Sequence, residues 1–327
     1  MNCKSFCLAL SAVLFSLCFS AKAQQTGKVW RIGYLTSGSR IGADAREEAF
    51  RQGLRELGYV QGKNLAVEYR YAEASTDRLR AYAEELVGLK VDLIVAVTTT
   101  GVHAAKNATK TIPIVMRIPN DPLEDGLVES LARPGGNVTG LTSIIFELNG
   151  KRLELLKEAV PTLSRLGVLW HPGGKRTAKW LKEMETETGA LGLQLKLLAV
   201  REPGDLDTAF KSAVKERTGA LTTLRNPFIN TYRKQIADLA IKNRLPTMFD
   251  DIEFLEVGGL MYYGANLIEL QRRLATFVDK IFKGAKPADL PVEQPIKFEF
   301  VVNLKTAKQI GVTIPPNVLA RADRVIR

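Results

Sequence analysis

The stretch of sequence that decides the fold is residues 91–118, which read VDLIVAVTTTGVHAAKNATKTIPIVMRI. The apolar run within residues 92–98 predicts a strand that is buried on both faces. Residues 101–108 predict a short helix, and residues 112–118 predict a second buried strand. A strand, a helix and a strand in this order are the repeating unit of a parallel α/β sheet.

The same alternation continues on both sides of this unit. In the first half of the chain it predicts strands at residues 29–37, 64–72 and 138–143, and helices at residues 43–57, 76–89 and 127–132. In the second half it predicts strands at residues 166–170, 194–200, 220–224, 246–249, 259–263 and 297–302. Helices are expected at residues 148–159, 178–191, 206–215, 232–243 and about 270–283. The whole pattern predicts an α/β protein with two Rossmann-like lobes and parallel sheets, joined by short hinges.

The first residues have the pattern of a secretory signal peptide. Lys4 precedes an apolar run over residues 6–19, and a small-x-small cleavage site follows at residues 21–23. We therefore expect residues 1–23 to be removed, leaving a soluble protein in the periplasm. All the cysteines fall in this segment: Cys3, Cys7 and Cys18. The mature chain is thus predicted to have no disulfide, cysteine nucleophile or zinc–thiolate site.

Composition and motifs exclude several classes of function. The net charge is +11, but the basic residues are scattered, which predicts a solvated basic surface and no nucleic-acid partner. No dinucleotide-binding glycine motif follows the first strand, and no P-loop or G-x-S-x-G elbow is present. The only histidines, His103 and His171, have no carboxylates at ligand spacing. We expect no catalytic residues, no metal and no cofactor.

A ligand site is expected beyond the carboxyl ends of the strands, where parallel sheets bind their ligands. The residues at these positions are rich in hydroxyl groups, with a few carboxylates and rings, which suits a small zwitterion. The predicted ligand-binding residues are Ser37, Thr98, Thr99, Thr100, Asp121, Thr142, His171, Asn226, Asp250 and Tyr263.

The threonine run and the aspartate of this set each have a predicted role in ligand binding and an alternative structural role. Thr98, Thr99 and Thr100 begin a helix, whose free N–H groups bind a carboxylate, but one threonine could simply cap the helix. Asp121 could receive a ligand ammonium or could form a turn before Pro122.

The remaining candidates lie in the second half of the chain. Adjacent residues on an extended segment point to opposite sides, so at most one of Asp250 and Asp251 should face the ligand, and we favour Asp250. The aromatic residues near strand ends could form a wall of the site or belong to the core. They are Trp170, Phe228, Tyr262 and Tyr263, of which Tyr263 lies at a strand exit.

Three longer motifs are similar to motifs of a known protein family. They are FRQGLRELGY at residues 50–59 with GKNL at 62–65, LARPGGNVTG at residues 131–140, and the tail at residues 303–326. With Asp121-Pro122, they resemble the ABC-transporter substrate-binding proteins of the tryptophan/tyrosine type over essentially the whole mature chain.

This resemblance implies a type I periplasmic-binding-protein fold with a three-segment hinge. Lobe 1 would comprise residues 28–143 and about 265–291, and lobe 2 residues 144–264 and about 292–327, with crossings near Ser143, Gly264 and Pro291. It implies a monomeric receptor that captures an aromatic amino acid, or a related aromatic or carboxylate compound, by hinge closure. Its partner would be an inner-membrane ABC permease with a cytoplasmic ATPase. The alternatives are an exported sensor or scaffold without transport, and an exported enzyme on the same fold.

Overall fold

The computed structural model describes residues 28–38, 44–73, 75–173 and 177–327. The predicted signal peptide lies outside the described residues. No helix in these four ranges is both long enough and apolar enough to cross a membrane.

The first sheet has five parallel strands in the order β2-β1-β3-β4-β5. Its strands are β1 (Trp30–Thr36), β2 (Leu65–Tyr71), β3 (Leu93–Ala96), β4 (Ile114–Ile118) and β5 (Val138–Thr142). The helices between them are α1 (Asp44–Glu56), α2 (Thr76–Gly88) and α3 (Thr99–Ala108). Every residue of β3 is buried, because helices cover both faces of this sheet.

The second sheet has seven strands in the order β12-β11-β10-β9-β8-β6-β7. They are β6 (Arg165–Trp170), β7 (Gln194–Ala199), β8 (Ala220–Thr223), β9 (Thr247–Phe249), β10 (Met261–Ala265), β11 (Phe298–Asn303) and β12 (Arg324–Ile326). Its helices are α4 (Asn149–Ala159), α5 (Thr177–Ala190), α6 (Asp205–Lys215), α7 (Pro227–Thr231), α8 (Arg233–Lys242), α9 (Glu253–Glu256), α11 (Leu304–Ile310) and α12 (Pro316–Leu319).

The α/β fold with two sheets is therefore confirmed, with one departure from uniformly parallel pairing. Strand β11 runs antiparallel to β10, while the other pairs of the second sheet are parallel. The reason is that β11 does not follow β10 through a crossover helix on its own sheet. The intervening helix, α10 (Leu267–Phe282), packs on the first sheet instead.

Helix α10 packs closely on helix α1 of the first sheet. A Cβ on Gly53 of α1 would lie 2.5 Å from the carbonyl oxygen of Arg272, so the two helix backbones approach more closely than any larger residue allows. The hydroxyl of Tyr59 also donates to Asp279 at 3.0 Å, and the rings of Trp30 and Phe282 stack at 4.0 Å. These contacts assign α10 to the first sheet.

Just before β11 the chain leaves the first sheet again and returns to the second. The backbone N–H of Val292 donates to Leu131 at 2.7 Å, and that of Glu293 donates to Gly140 at 2.9 Å. The chain then enters the second sheet at β11. These contacts keep residues 292 and 293 with the first sheet. The lobe boundaries and the crossings near Ser143, Gly264 and Pro291 remain a prediction.

One predicted helix is absent, because residues 127–132 form turns and bends rather than a helix. Leu127 and Val128 are buried, as the apolar pattern requires. The backbone, however, bonds outside the segment, since Glu129 donates to Pro134 and the carbonyl of Leu131 accepts from Val292. The prediction was wrong because the backbone of this segment bonds to Pro134 and Val292, outside the segment, instead of forming a helical turn.

Candidate functional site

The carboxyl edges of the two sheets face each other, and one arginine joins them directly. Arg46 lies in the first turn of α1, after β1 of the first sheet. Its Nη2 atom lies 3.2 Å from Asp251 and 2.6 Å from Glu253, which follow β9 of the second sheet. The space between the strand ends is therefore closed on one side by an ion pair between the lobes.

Asp251 is the centre of this interlobe ion cluster, which we define as Arg46, Arg225, Arg233, Asp251 and Glu253. The Asp251 side chain is only 2% exposed and also pairs with Arg225 at 2.9 Å. Burial raises the pKa of its carboxyl, but Arg225 and Arg46 outweigh that effect and hold the pKa well below its usual range. Asp251 is therefore ionised at neutral pH.

Glu253 completes the cluster on its outer side. It pairs with Arg46, as above, and with Arg233 at 3.4 Å. Burial raises the pKa of this carboxyl, and the charges of Arg46 and Arg233 oppose the rise. Because Asp251 and Glu253 share Arg46, one cation from the first lobe pairs with two carboxylates of the second.

A further arginine outside the cluster, Arg117, lies on β4. Its Nε donates to the Oε1 atom of Gln271 at 2.7 Å, and the Nε2 atom of Gln271 donates to the Tyr34 hydroxyl at 2.8 Å. Burial raises the pKa of Tyr34, so this hydroxyl stays neutral. Among the described residues, no carboxylate lies within 4 Å of the Arg117 guanidinium. Burial, together with the charge of Arg46, lowers the pKa of Arg117 to about 10.

A third arginine, Arg152 of α4, holds two of the segments that pass between the sheets. Its Nε donates to the carbonyl of Tyr263 in β10 at 2.8 Å, and its Nη1 donates to the carbonyl of Ile145, after β5, at 2.6 Å. Among the described residues, the buried Nη2 atom has no hydrogen-bond partner, and neither has the Oδ1 atom of Asp250. Burial raises the pKa of Asp250, which Arg225 and Arg152 oppose. A polar ligand or water fits between such groups.

The predicted residues of the first lobe lie at the strand ends, but they differ in whether their hydrogen-bonding groups are free to contact a ligand. Thr98 caps α3, since its Oγ1 accepts from Gly101 at 3.1 Å, and it also accepts from the N–H of Ser37 at 3.3 Å. Thr99 accepts from the Asn120 side chain at 3.3 Å, so its own hydroxyl proton remains available to a ligand. Thr100 is exposed.

Asp121 and Thr142 are engaged locally. The Oδ1 of Asp121 accepts from the N–H of Leu123 at 2.8 Å, which is the turn geometry expected before proline. The hydroxyl of Thr142 is fully buried and donates to the carbonyl of Asn120 at 2.7 Å. Both residues therefore hold the loop after β4 in place.

The predicted residues of the second lobe form two groups. His171 and Asn226 lie around Phe228, since the His171 and Phe228 rings are 5.1 Å apart and Asn226 accepts from the N–H of Phe228 at 2.8 Å. Asp250 lies among the arginines described above. Tyr263, in contrast, places its ring 6.0 Å from that of Phe298 and packs against the core.

Sequence reasoning missed the arginines of the site and Asp251. Arg117 had a usable signal, because it interrupts the apolar run of residues 112–118. Arg225 lies two residues after strand β8 and could have been read as a strand-end residue. Arg46 lies on an ordinary polar helix face, and only the packing of the lobes brings it to Asp251.

A separate open groove lies on the outer surface of the second lobe. It is lined by exposed residues of α6 and α8, among them Asp207, Lys234 and Asp238. Lys234 and Asp238 are already paired at 2.5 Å. The described lining of the groove includes no unpartnered buried group, so we place the candidate site in the cleft.

Residues 39–326 match the family model described as ABC transporter substrate binding protein. This chain belongs to that family. The substrate-binding protein is similar to a curated tyrosine-binding protein of Clostridioides difficile, with 27% identity over 82% of this chain and 76% of the relative.

Several solved structures have the same fold as this substrate-binding protein. A conserved domain protein from Vibrio cholerae matches with a TM-score of 0.82 and 27% identity over 91% of this chain and 100% of that one. An ABC domain from Streptococcus pneumoniae in complex with L-Trp matches with a TM-score of 0.80 and 26% identity over 91% and 99% of the two chains. A 5-methylthioribose transporter solute-binding protein shares only the fold, at 14% identity and a TM-score of 0.63. The type I periplasmic-binding-protein fold is thus confirmed.

Proposed function

We propose that this substrate-binding protein is the periplasmic receptor of an ABC importer, and that it captures an aromatic amino acid or a related aromatic carboxylate between its lobes. The observation that carries the proposal is the contact of Arg46 with Asp251 and Glu253. It joins two lobes over a space lined by strand ends, which is the arrangement needed to enclose a small solute.

The ligand class is supported by two independent features. One similar protein is named a tyrosine-binding protein, and another was solved with L-Trp. In this chain, Phe228 and His171 place rings at the exit of the second sheet, where a ligand ring could stack. Thr99 and the first turn of α3 offer donors for a carboxylate.

The residues predicted from the sequence remain proposals for ligand contact. Thr99, His171, Asn226 and Asp250 fit best, because each has a polar group or ring just after a strand end. The partner would be a membrane permease with a cytoplasmic ATPase, and the predicted signal peptide would deliver the chain to the periplasm. The receptor would release its ligand chemically unchanged.

Native mass spectrometry of the purified protein, followed by calorimetric titration with L-tyrosine and L-tryptophan, tests this proposal. We expect a bound or titratable aromatic compound, recovered with its mass unchanged. Thr99→Val should weaken binding, because it removes a hydroxyl donor at constant shape. Thr208→Val, on the exposed face of α6, is the matched control and should bind normally. Turnover of the compound, or indifference to all aromatic acids, would contradict the proposal.

A further inference from the structure

The cleft contains a buried positive charge that the protein itself does not balance. Arg117 is 7% exposed, and its guanidinium meets the neutral Gln271 through Nε alone. Within the part of the chain that the structure describes, its terminal nitrogens have no hydrogen-bond acceptor and no carboxylate within 4 Å. A buried ion without a partner costs several kcal/mol, so a protein retains one where something else supplies the counter-charge.

The groups around Arg117 cannot supply that charge. Tyr34 and Gln271 are neutral, and they hold each other in place through the 2.8 Å hydrogen bond. The charged groups that act most strongly on the Arg117 guanidinium are Arg46, Arg225 and Asp251. Asp251 is already shared by the two other arginines, at 3.2 and 2.9 Å. Arg117 therefore faces a cluster that adds positive potential rather than relieving it.

The interlobe ion cluster, taken together with Arg117, Arg152 and Asp250, has the same imbalance. Arg46, Arg117, Arg152, Arg225 and Arg233 provide the positive charges, and the neighbouring carboxylates are fewer. These carboxylates are Asp250, Asp251 and Glu253. A zwitterion would leave the excess positive charge unchanged, whereas an anion would reduce it.

We propose that Arg117 is the anchor for the ligand's carboxylate and that the natural ligand of this cleft is a net-anionic aromatic carboxylate rather than a zwitterionic amino acid. The inference rests on the proposed function and narrows its ligand class. Gln271 holds the guanidinium through its Nε atom, Tyr34 holds Gln271, and among the described residues the two terminal nitrogens have no partner. A carboxylate accepts two parallel N–H bonds in that geometry.

Arg117→Gln is the sharpest substitution, because the Nε2 atom of glutamine occupies the position of the arginine Nε. The bond to Gln271 is kept, and only the charge and the terminal nitrogens are removed. Arg80→Met, on the exposed face of α2, is the control for removal of a surface arginine. Three probes of equal ring structure are titrated: L-tyrosine, 3-(4-hydroxyphenyl)propionate, and the methyl ester of that acid.

We expect the wild-type protein to bind the acid at least as tightly as L-tyrosine, and the ester about 10- to 100-fold more weakly, since the ester cannot form the charge-assisted hydrogen bonds. In Arg117→Gln the acid should lose most of its advantage over the ester, because only the donors of Thr99 and α3 remain to favour it, and in Arg80→Met the wild-type difference should persist. An unchanged acid-to-ester ratio in Arg117→Gln overturns the inference. So does a wild-type preference for L-tyrosine over the acid by tenfold or more, although that result upholds the proposed function.

Melting of the empty proteins provides a readout that needs no ligand. If the Arg117 charge is unbalanced, Arg117→Gln should melt above both the wild type and Arg80→Met. An equal or lower melting temperature overturns the inference, because the charge would then be balanced within the protein. If no probe binds the wild type, the proposed aromatic ligand class fails, and this melting comparison still decides whether Arg117 is an unpaired charge.

Discussion

Replacing Arg46 with methionine should open the two lobes. Methionine keeps most of the volume of the side chain and removes the only described cation that crosses from α1 to the second lobe. The substitution eliminates the ion pairs with Asp251 at 3.2 Å and with Glu253 at 2.6 Å. Because these ion pairs join residues of different lobes, they exist only in the closed arrangement.

The size of the effect follows from the burial of the partners. The side chains of Arg46, Asp251 and Glu253 are 19%, 2% and 20% exposed, so solvent screens the interaction only partly. Deleting one partner of a buried pair costs about 3–5 kcal/mol when the other charge is left alone. Here Asp251 keeps Arg225 and Glu253 keeps Arg233, so we expect about 1.5–3 kcal/mol, typical of a charge-assisted hydrogen bond.

This free energy corresponds to a shift of about 10- to 150-fold in the equilibrium between open and closed forms. Small-angle X-ray scattering of the ligand-free protein should show a larger radius of gyration for Arg46→Met than for the wild type. Titration with the best aromatic ligand should show affinity reduced by up to the same factor, since binding must then supply the closure energy.

Arg55→Met provides the control on the same helix. Arg55 pairs with Glu48 at 2.6 Å within α1, and so contributes nothing between the lobes. It should leave both the scattering curve and the affinity unchanged. If Arg46→Met also leaves both unchanged, the ion pairs of Arg46 do not contribute to closure and the reasoning from the cluster is refuted.

Three further predictions concern the stability of the first lobe. Burial and the bond to Asp279 raise the pKa of Tyr59 to about 12, so the stability that this hydroxyl contributes is complete below pH 10 and disappears between about pH 10 and 12. Tyr59→Phe should therefore make the melting temperature depend less on pH across that range. Gly53→Ala should lower the free energy of unfolding by about 1–3 kcal/mol in urea titrations, because the added Cβ meets the Arg272 carbonyl at 2.5 Å; an unaffected midpoint would mean that α1 and α10 can separate freely. Thr98→Ala should cost about 0.5–2 kcal/mol in the same assay through loss of the α3 cap, and retention of full stability would exclude the capping role.

The sequence predicted most of the fold because the strongest signals are local. The buried strands β3 and β4 are marked by apolar runs too short for helices, and the threonines after β3 mark a helix start. The failure at residues 127–132 has the opposite cause. Its apolar residues are buried as the pattern indicates, but its backbone bonds to Val292, far along the chain, and no local pattern records such a partner.

The candidate site was only partly predictable for the same reason. The rule that ligands bind at strand carboxyl ends selected Thr99, His171 and Asp250 as candidates, since a strand end can be identified from the chain alone. The arginines depend on distances between elements. Arg117 becomes informative only when Gln271, 154 residues away, is seen to occupy its Nε while no described acceptor occupies its terminal nitrogens.

The amino-acid sequence by itself therefore determined the class of protein: alternating buried strands and amphipathic helices, no catalytic or cofactor motif, and a family pattern along the mature chain. Only the tertiary structure decided how the cleft is charged. Hydrophobic periodicity is a property of neighbours in the chain, whereas the balance between Arg46, Arg117 and Asp251 is set by Coulomb interactions across two lobes and by the burial that strengthens them.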